Sequence, residues 1–252
     1  MPVQVTYPPL NVPKSVATNV WVVDGPEIRF GLAFLKIPFP TRMTVLRLAG
    51  DWLFIHSPTP LTAELKAAIE DLGRPSWIIG PNRIHYWWIP EWRRSYPQAG
   101  VYLAPRIREQ ARGRMDFPAQ ELGATHGYPW DDEVATLPVR GSYMTEIVFF
   151  HKASRTLILT DLIENFEAHK VGFWTRLLAR FGGALDPDGQ TTRDMRLTYG
   201  DLRPAVETMI AWRPERIILA HGRWYETNAE AELRRAFRWA LSEKSRPGGE
   251  SA

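Results

Sequence analysis

Two segments of the chain, Arg155-Thr-Leu-Ile-Leu-Thr-Asp161 and Arg216-Ile-Ile-Leu-Ala-His-Gly222, are the most informative about its fold. Each is a short apolar run of the kind that forms a buried strand, and a polar side chain, Asp161 or His221, stands where the run ends. A third run, Trp77-Ile-Ile-Gly80, is followed by His85. Because loops at the ends of strands converge on the ligand crevice in open α/β sheets, we expect these three polar residues to form one site.

Working outward from these runs, strands and helices alternate along the chain. Strands are predicted at residues 19–24, 44–48, 52–56, 76–80, 101–104, 145–150, 155–160 and 216–220, and helices at 61–73, 90–95, 202–211 and 229–241. The proline-rich residues 3–14 are expected to be extended on the surface. This order indicates a sheet-rich core with helices on its outer faces.

Composition excludes several classes of protein. The chain has 252 residues, of which 44% are hydrophobic and 23% charged, as in a folded globular protein. It has no cysteine, so zinc ribbons, iron–sulfur clusters and thiol catalysis are excluded, and a metal must be bound by His, Asp, Glu or Asn. The net charge is only +3 and no long basic run occurs, so we expect no nucleic-acid partner.

Targeting and nucleotide-binding patterns are also missing from the sequence. No apolar run is long enough to cross a bilayer, and the first ten residues do not resemble a secretion signal. We therefore expect a cytoplasmic protein without a membrane partner. The glycine-rich phosphate loops and the Gly-x-Ser-x-Gly pattern of serine hydrolases are absent as well.

Two imidazoles and a carboxylate form a sensible ligand set for zinc, iron or manganese. Glu146 opens the strand pair before Asp161 and is a candidate additional ligand, because its carboxylate would balance metal charge. The alternative for each residue is an ordinary polar side chain that bonds a neighbouring loop.

The residues expected to shape a substrate pocket lie beside His85. Trp87 and Trp88 follow it directly, Asn82 precedes it, and His56 ends another apolar strand. Large rings next to a polar site are typical of the wall of an apolar pocket, although they are equally compatible with core packing.

Two further segments leave alternatives open. If residues 162–169 are helical, Asp161, Asn165 and His169 share a face, so His169 could reach the site, although a solvated face is the simpler explanation. Residues 173–181 are amphipathic and could be a helix packed on the core, a lid over the crevice, a dimer contact or a membrane-surface helix. Membrane-surface helices are usually longer or more basic.

Four segments carry a resemblance to a known family: Gly80-Pro-Asn-Arg-Ile-His85, Tyr96-Pro-Gln-Ala-Gly-Val-Tyr102, Arg155 to Asp161, and Ile217-Ile-Leu-Ala-His-Gly222. In this order they resemble the metallo-β-lactamase-like hydrolase superfamily. More narrowly, His56-Ser57-Pro58 with Leu61-Thr62, Pro81-Asn82 with His85, Ser154 to Asp161 and Ala220 to Gly222 look like a domain-of-unknown-function family within it.

The resemblance implies an α/β (α+β) fold: a four-layer αββα sandwich with two mixed sheets face to face and helices outside. The implied layout is an extended segment at 1–18, a single domain at 19–241 and a flexible tail at 242–252.

The superfamily's metal motif is incomplete in this chain. When the last His of His-x-His-x-Asp-His is aligned on His85, the other three positions hold Gly80, Asn82 and Ile84. The later His of the motif falls near Ser142, so only His85, Asp161 and His221 survive from seven positions.

A two-metal hydrolase is therefore not expected. The resemblance implies a single-metal hydrolase of an ester, lactone or phosphodiester, with Asp161 and His221 as catalytic residues. The rival is a metal-free member that binds a small molecule or a protein; a homodimer is compatible with either.

Overall fold

The computed structural model describes residues 4–32 and 35–242. The strands are β1 Pro13–Ala17, β2 Val20–Asp24, β3 Ile28–Leu32, β4 Leu35–Phe39, β5 Arg42–Leu48, β6 Trp52–His56, β7 Arg74–Gly80, β8 Gly100–Leu103, β9 Gln120–Glu121, β10 Val134–Arg140, β11 Thr145–His151, β12 Thr156–Leu159 and β13 Arg216–Leu219. The helices are α1 Ala63–Leu72, α2 Ile89–Ser95, α3 Ile107–Ala111, α4 Phe173–Gly182, α5 Arg193–Arg196, α6 Arg203–Ala211, α7 Ala229–Ala236 and α8 Arg238–Ser242.

Two mixed sheets form the centre of the molecule. The seven-stranded sheet has the order β1-β2-β5-β6-β7-β8-β9, antiparallel as far as β6 and parallel from there on. The four-stranded sheet has the order β10-β11-β12-β13, and its last pair is parallel. Strands β3 and β4 form a separate hairpin.

The side chains of β11 alternate between two cores, and this shows how the layers of the fold are arranged. Ile147 and Phe149 join the core shared with the seven-stranded sheet, whereas Val148 and Phe150 join the core shared with α6 and α7. Successive strand residues point to opposite faces, so β11 is buried on both sides. On the other sheet, α1 and α2 contact β7. The expected αββα order of layers is confirmed.

Aromatic rings fill the space between the two sheets. Phe54 of β6 lies edge-on to Phe149 of β11, with ring centroids 5.1 Å apart. Trp130 packs 5.0 Å from Phe54 and 5.8 Å from Trp77, and it stacks on Tyr128 at 5.0 Å with the planes 8° apart. The buried Trp130 indole donates to Thr136, so its polar N–H is satisfied.

The structure corrects the prediction for the N-terminal segment. Val5 and Thr6 are buried, so residues 3–14 do not simply lie extended on the surface. Strand β1 pairs with β2 at the edge of the seven-stranded sheet, so part of the segment predicted as extended at 1–18 belongs to that sheet.

Two helix predictions are also corrected. Residues 162–169 form no helix, because the backbone of Glu164, Asn165 and Phe166 bridges to other segments of the chain. The helix predicted at 229–241 is divided at Phe237 into α7 and α8. The tail predicted at 242–252 lies outside the described residues from 243 onward.

Helix α4 forms where the amphipathic pattern predicts it, but it does not pack its large side chains on the core. Of its residues only Ala179 is buried, whereas Phe173, Trp174 and Phe181 are exposed. The core-packed alternative is therefore wrong for this helix. No helix in the described ranges is long and apolar enough to cross a bilayer.

Candidate metal centre

His85, Asp161 and His221 come together at the strand ends, as the sequence suggested they would. His85 Nε2 lies 3.1 Å from His221 Nε2 and 3.2 Å from Asp161 Oδ2, and His221 Nε2 lies 3.3 Å from Asp161 Oδ1. Asp161 and His221 follow the neighbouring parallel strands β12 and β13, whereas His85 follows β7 of the other sheet. The group therefore joins the two sheets.

The second nitrogen of each imidazole fixes the ring. His221 Nδ1 donates to the carbonyl oxygen of Pro40 at 2.8 Å. Because a carbonyl only accepts, Nδ1 carries a hydrogen; the neutral ring then offers the Nε2 lone pair to a metal, whereas the protonated ring donates from Nε2 to Asp161. His85 Nδ1 lies 2.7 Å from Ser57 Oγ. Such contacts orient histidine ligands in metal sites.

The three side chains fit a divalent metal. Zinc bound at about 2.1 Å in a tetrahedral site places its donor atoms about 3.4 Å apart, close to the separations between these nitrogen and oxygen atoms. All three donor atoms lie within 4.8 Å of one another. The same Nε2 to Oδ separations also permit direct hydrogen bonds, so the metal-free alternative has a geometric basis too.

Neighbouring charges and hydrogen bonds keep the buried Asp161 carboxylate ionised. Burial alone would raise the pKa of Asp161, but the charge on His85 and hydrogen bonds from both imidazoles hold it well below its usual range. Burial would lower the pKa of His221, yet the hydrogen bond and charge of Asp161 raise it. The carboxylate therefore stays ionised and available to a cation.

Asn82 is placed to orient the other residues. Its Nδ2 donates to Asp161 Oδ2 at 2.5 Å and to Thr160 Oγ1 at 2.9 Å, while its Oδ1 accepts from the backbone of Ile84 and His85. Asn82 is fully buried. It therefore supports Asp161 and the His85 turn and does not line the pocket to which the sequence analysis assigned it.

Glu146 does not join the group as a fourth ligand. Its two carboxylate oxygens accept the backbone N–H groups of Thr160, Asp161 and Leu162 at 2.7 to 3.0 Å. Burial and the charge of Asp161 raise its pKa to about 7. The side chain holds the loop that presents Asp161.

A small cavity opens beside the group. Its volume is about 20 Å³, and its lining includes Ser57, His85, Trp87, Trp88 and His221. That volume holds about one water. A larger cavity of about 630 Å³ lies at the start of α7, lined by different residues. Since the larger one has no member of the group in its wall, the small cavity is the relevant one.

His56 does not line this cavity. Its ring lies 5.6 Å from that of Phe149, between the sheets, and neither ring nitrogen has a hydrogen-bond partner among the described residues. Burial, with the charge on His85 as a second cause, lowers its pKa to about 3. His56 is therefore neutral and is placed as part of the core next to the site.

Two residues near the group were not singled out from the sequence. Ser57 contacts His85; its place directly after a strand that ends in His56 was the available signal. Glu164 is half-buried, and burial raises its pKa to about 8, with His221 opposing the shift and Asp161 adding to it. Its position three residues after Asp161 was the signal. His169 is exposed and lies outside the group.

The turn that carries His221 is tightly fixed. Gly222 has a φ of +88°, and a Cβ there would lie 2.1 Å from the carbonyl oxygen of Asn165. Only glycine permits this approach. The buried Arg42 donates to the carbonyls of Leu219 and Gly222 at 2.6 and 2.9 Å, and it pairs with Asp24 at 2.8 Å.

Comparison with solved structures defines the class of protein as one with the metallo-β-lactamase fold. DIM-1 metallo-β-lactamase, from a crystal exposed to ceftazidime, has a TM-score of 0.62 at 13% identity, over 96% of this chain and 99% of that one. The mono-zinc form of FIM-1 from Pseudomonas aeruginosa has a TM-score of 0.56 at 13% identity, over 95% and 99%.

Rubredoxin oxygen:oxidoreductase from Desulfovibrio gigas has a TM-score of 0.61 at 12% identity and is matched over 92% of this chain but only 62% of its own. At these identities the likeness concerns the fold. Within that fold, the chain belongs to the family described as Domain of unknown function (DUF4336), whose model matches residues 18–175. No curated protein matches the sequence.

Proposed function

We propose that this protein is a hydrolase that uses one divalent metal held by His85, Asp161 and His221. The observation that carries the proposal is that the two imidazole Nε2 atoms lie 3.1 Å apart and each lies 3.2 or 3.3 Å from an oxygen of the Asp161 carboxylate. The bond from His221 Nδ1 to Pro40 supports it, because that bond leaves Nε2 free to bind. The two solved lactamase relatives and their fold are consistent with such a site.

The residues around the group have defined parts in this scheme. A bound zinc, iron or manganese supplies a water of lowered pKa, which is nucleophilic at neutral pH. His85, Asp161 and His221 would hold the metal, and Asp161 and His221 are the two that we propose act in catalysis. Asn82 orients Asp161 through its Nδ2 donor. Trp87 and Trp88 wall the small cavity, which has room for that water, and an ester, lactone or phosphodiester substrate would reach it from outside.

Metal content tests the proposal directly. Protein purified without a chelator or a histidine tag is expected to contain close to one zinc, iron or manganese per chain by elemental analysis. His221→Ala should lose the metal. His169→Ala is the matched control, because this exposed histidine lies outside the group and its loss should leave the metal in place.

Hydrolytic activity is measured on the same wild-type and variant proteins. Hydrolysis of a panel of esters, lactones and phosphodiesters should disappear with a chelator and return when the metal is restored. A wild-type chain that stays metal-free after incubation with zinc, iron and manganese would overturn the proposal.

The second candidate function is a metal-free binding module for a small molecule or a protein. It is favoured by the direct approach of both imidazoles to Asp161 at 3.2 and 3.3 Å, which can serve as an internal hydrogen-bonded network. In that case zinc should not change the thermal unfolding midpoint, and the nuclear magnetic resonance signals of the His221 ring should not respond to zinc.

A further inference from the structure

Helix α4 exposes several large apolar side chains to solvent. The exposed fractions of Phe173, Trp174 and Phe181 are 61%, 73% and 65%, and Leu178 is 41% exposed. These side chains belong to one ten-residue helix, about 15 Å long. Isolated exposed apolar side chains are normal, but several large ones on one element indicate an interaction site.

The way α4 is attached explains why this face is turned outward. Ala179 is its buried residue, and it packs in a small cluster with Val5, Phe166, Val171 and Ala184. Thr175 and Leu177 of the same helix are half-buried, so the helix packs on the protein through its small side chains and one leucine. Its larger side chains remain available to a partner.

Charge indicates which partner fits. Arg176 and Arg180 are exposed, and α4 contains no acidic residue. The acidic residues that follow the helix are engaged elsewhere: Asp186 pairs with Arg223 at 2.9 Å, and Asp188 lies 3.4 Å from Arg235. The charged side chains of the helix itself are therefore both basic.

We propose that α4 docks on a membrane surface that contains anionic lipid. The helix lies in the plane of the bilayer, with Phe173, Trp174 and Phe181 among the upper acyl chains and the two arginines at the lipid phosphates. An apolar face with aromatic residues and a basic polar face is the pattern of interfacial helices. This inference replaces the expectation of no membrane partner and does not depend on the metal.

Other occupants match the surface less well. In a symmetric dimer formed through α4, Arg176 and Arg180 would meet the same residues of the second copy, with no acidic residue on the helix to neutralise them. Residues 243–252, Glu-Lys-Ser-Arg-Pro-Gly-Gly-Glu-Ser-Ala, contain no large apolar side chain that could cover the face.

Vesicle sedimentation tests the proposal with the full chain. The protein should sediment with vesicles of phosphatidylcholine and phosphatidylglycerol at 3:1 and remain in solution with pure phosphatidylcholine. High salt should weaken the binding, because it screens the arginines. The chain has eleven tryptophans, so the emission of Trp174 is obtained as the difference between the wild type and Trp174→Phe, and it should shift to shorter wavelength on binding.

Substitutions in α4 test whether this helix, and not nonspecific adhesion of the protein, causes the vesicle binding. Trp174→Glu with Phe181→Glu, and separately Arg176→Glu with Arg180→Glu, should weaken vesicle binding at least tenfold. Trp52→Glu is the matched control, because this aromatic ring is 46% exposed but starts β6 at the end away from His56. It should bind like the wild type, and circular dichroism should show each variant folded.

Two results would overturn the proposal. One is an absence of binding to anionic vesicles, or binding that the α4 variants leave unchanged. The other is a dimer in analytical ultracentrifugation that the Trp174→Glu, Phe181→Glu variant dissociates, which would assign the face to a second copy of the chain.

Discussion

Glu146 holds the loop that presents Asp161, because both of its carboxylate oxygens accept backbone N–H groups there. Glu146→Gln keeps the size but replaces one acceptor oxygen with an NH₂ group that faces a donor. We expect the free energy of unfolding to fall by about 1–3 kcal/mol, measured by urea denaturation. The exposed Glu230→Gln should change it by less than about 0.5 kcal/mol. Equal effects of the two substitutions would contradict this role.

His56 makes stability depend on pH. Its pKa is about 3 in the folded chain, below the unfolded value near 6.5, so the unfolded state binds more protons in acid. The contribution is fully present above pH 6.5 and is lost as pH falls toward 3. We expect the free energy of unfolding to fall by about 2 kcal/mol between pH 6.5 and pH 5 from this cause.

Denaturant unfolding at several pH values measures this loss. His56→Phe should flatten the pH dependence over that interval. His126→Phe, at an exposed histidine, should not. Identical pH profiles for the His56 variant and the wild type would show that His56 is not the titrating group.

At the scale of elements, three of the strands that the sequence pattern did not predict, β1, β4 and β10, contain a proline. Pro13 begins β1, Pro38 lies in β4, and Pro138 lies opposite Ile147 in β10. Proline lacks an N–H and argues against a strand, but it is tolerated on edges. Strands β1 and β10 are edge strands, and β4 belongs to a two-stranded hairpin. Local pattern cannot show that a strand will lie at an edge.

Some features of the candidate site were predictable from the sequence and others were not. The positions of His85, Asp161 and His221 were predictable, because each follows an apolar run. The roles of Glu146, Asn82 and His56 were not predictable, because the backbone groups and core rings that they contact come close only in the tertiary fold. His169 is exposed, as the simpler explanation for the four-residue step has it, but the helix on which that step depends does not form, because the backbone there pairs with distant segments.

Arg42 couples two elements of the fold. From β5 it donates to the carbonyls that end β13 and pairs with Asp24 of β2, all in a buried environment. Arg42→Met leaves Asp24 buried with Lys14 as its remaining ionic partner. We expect a loss of about 3 kcal/mol or more in the free energy of unfolding by guanidinium denaturation.

Arg47→Met on the same strand is the matched control for that measurement. Arg47 is half-buried, and its guanidinium donates to the Asn19 side chain and lies over the Trp21 ring. Its loss should cost about 1 kcal/mol or less. The role assigned to Arg42 would be contradicted if the two variants unfolded alike.

At the scale of the whole molecule, the proposed metal joins the two sheets, since His85 follows β7 and the other two ligands follow β12 and β13. A ligand that binds only the folded chain stabilises it by mass action, by about 2.7 kcal/mol at 100 times its Kd. Zinc should therefore raise the denaturation midpoint of the metal-depleted wild type. The increase should vanish in His221→Ala and persist in His169→Ala, and its absence in the wild type would favour the metal-free module.

The rings between the sheets have an optical consequence. Trp130 stacks on Tyr128 and lies 5.8 Å from Trp77, close enough for the electronic transitions of the rings to couple. Coupled rings held in a fixed chiral arrangement produce strong near-ultraviolet circular dichroism, which disappears when the rings separate. Trp174 is exposed on α4 and contributes little to that signal, while its fluorescence responds to its surroundings. The chain thus carries two natural probes, one for the joining of its sheets and one for contacts at α4.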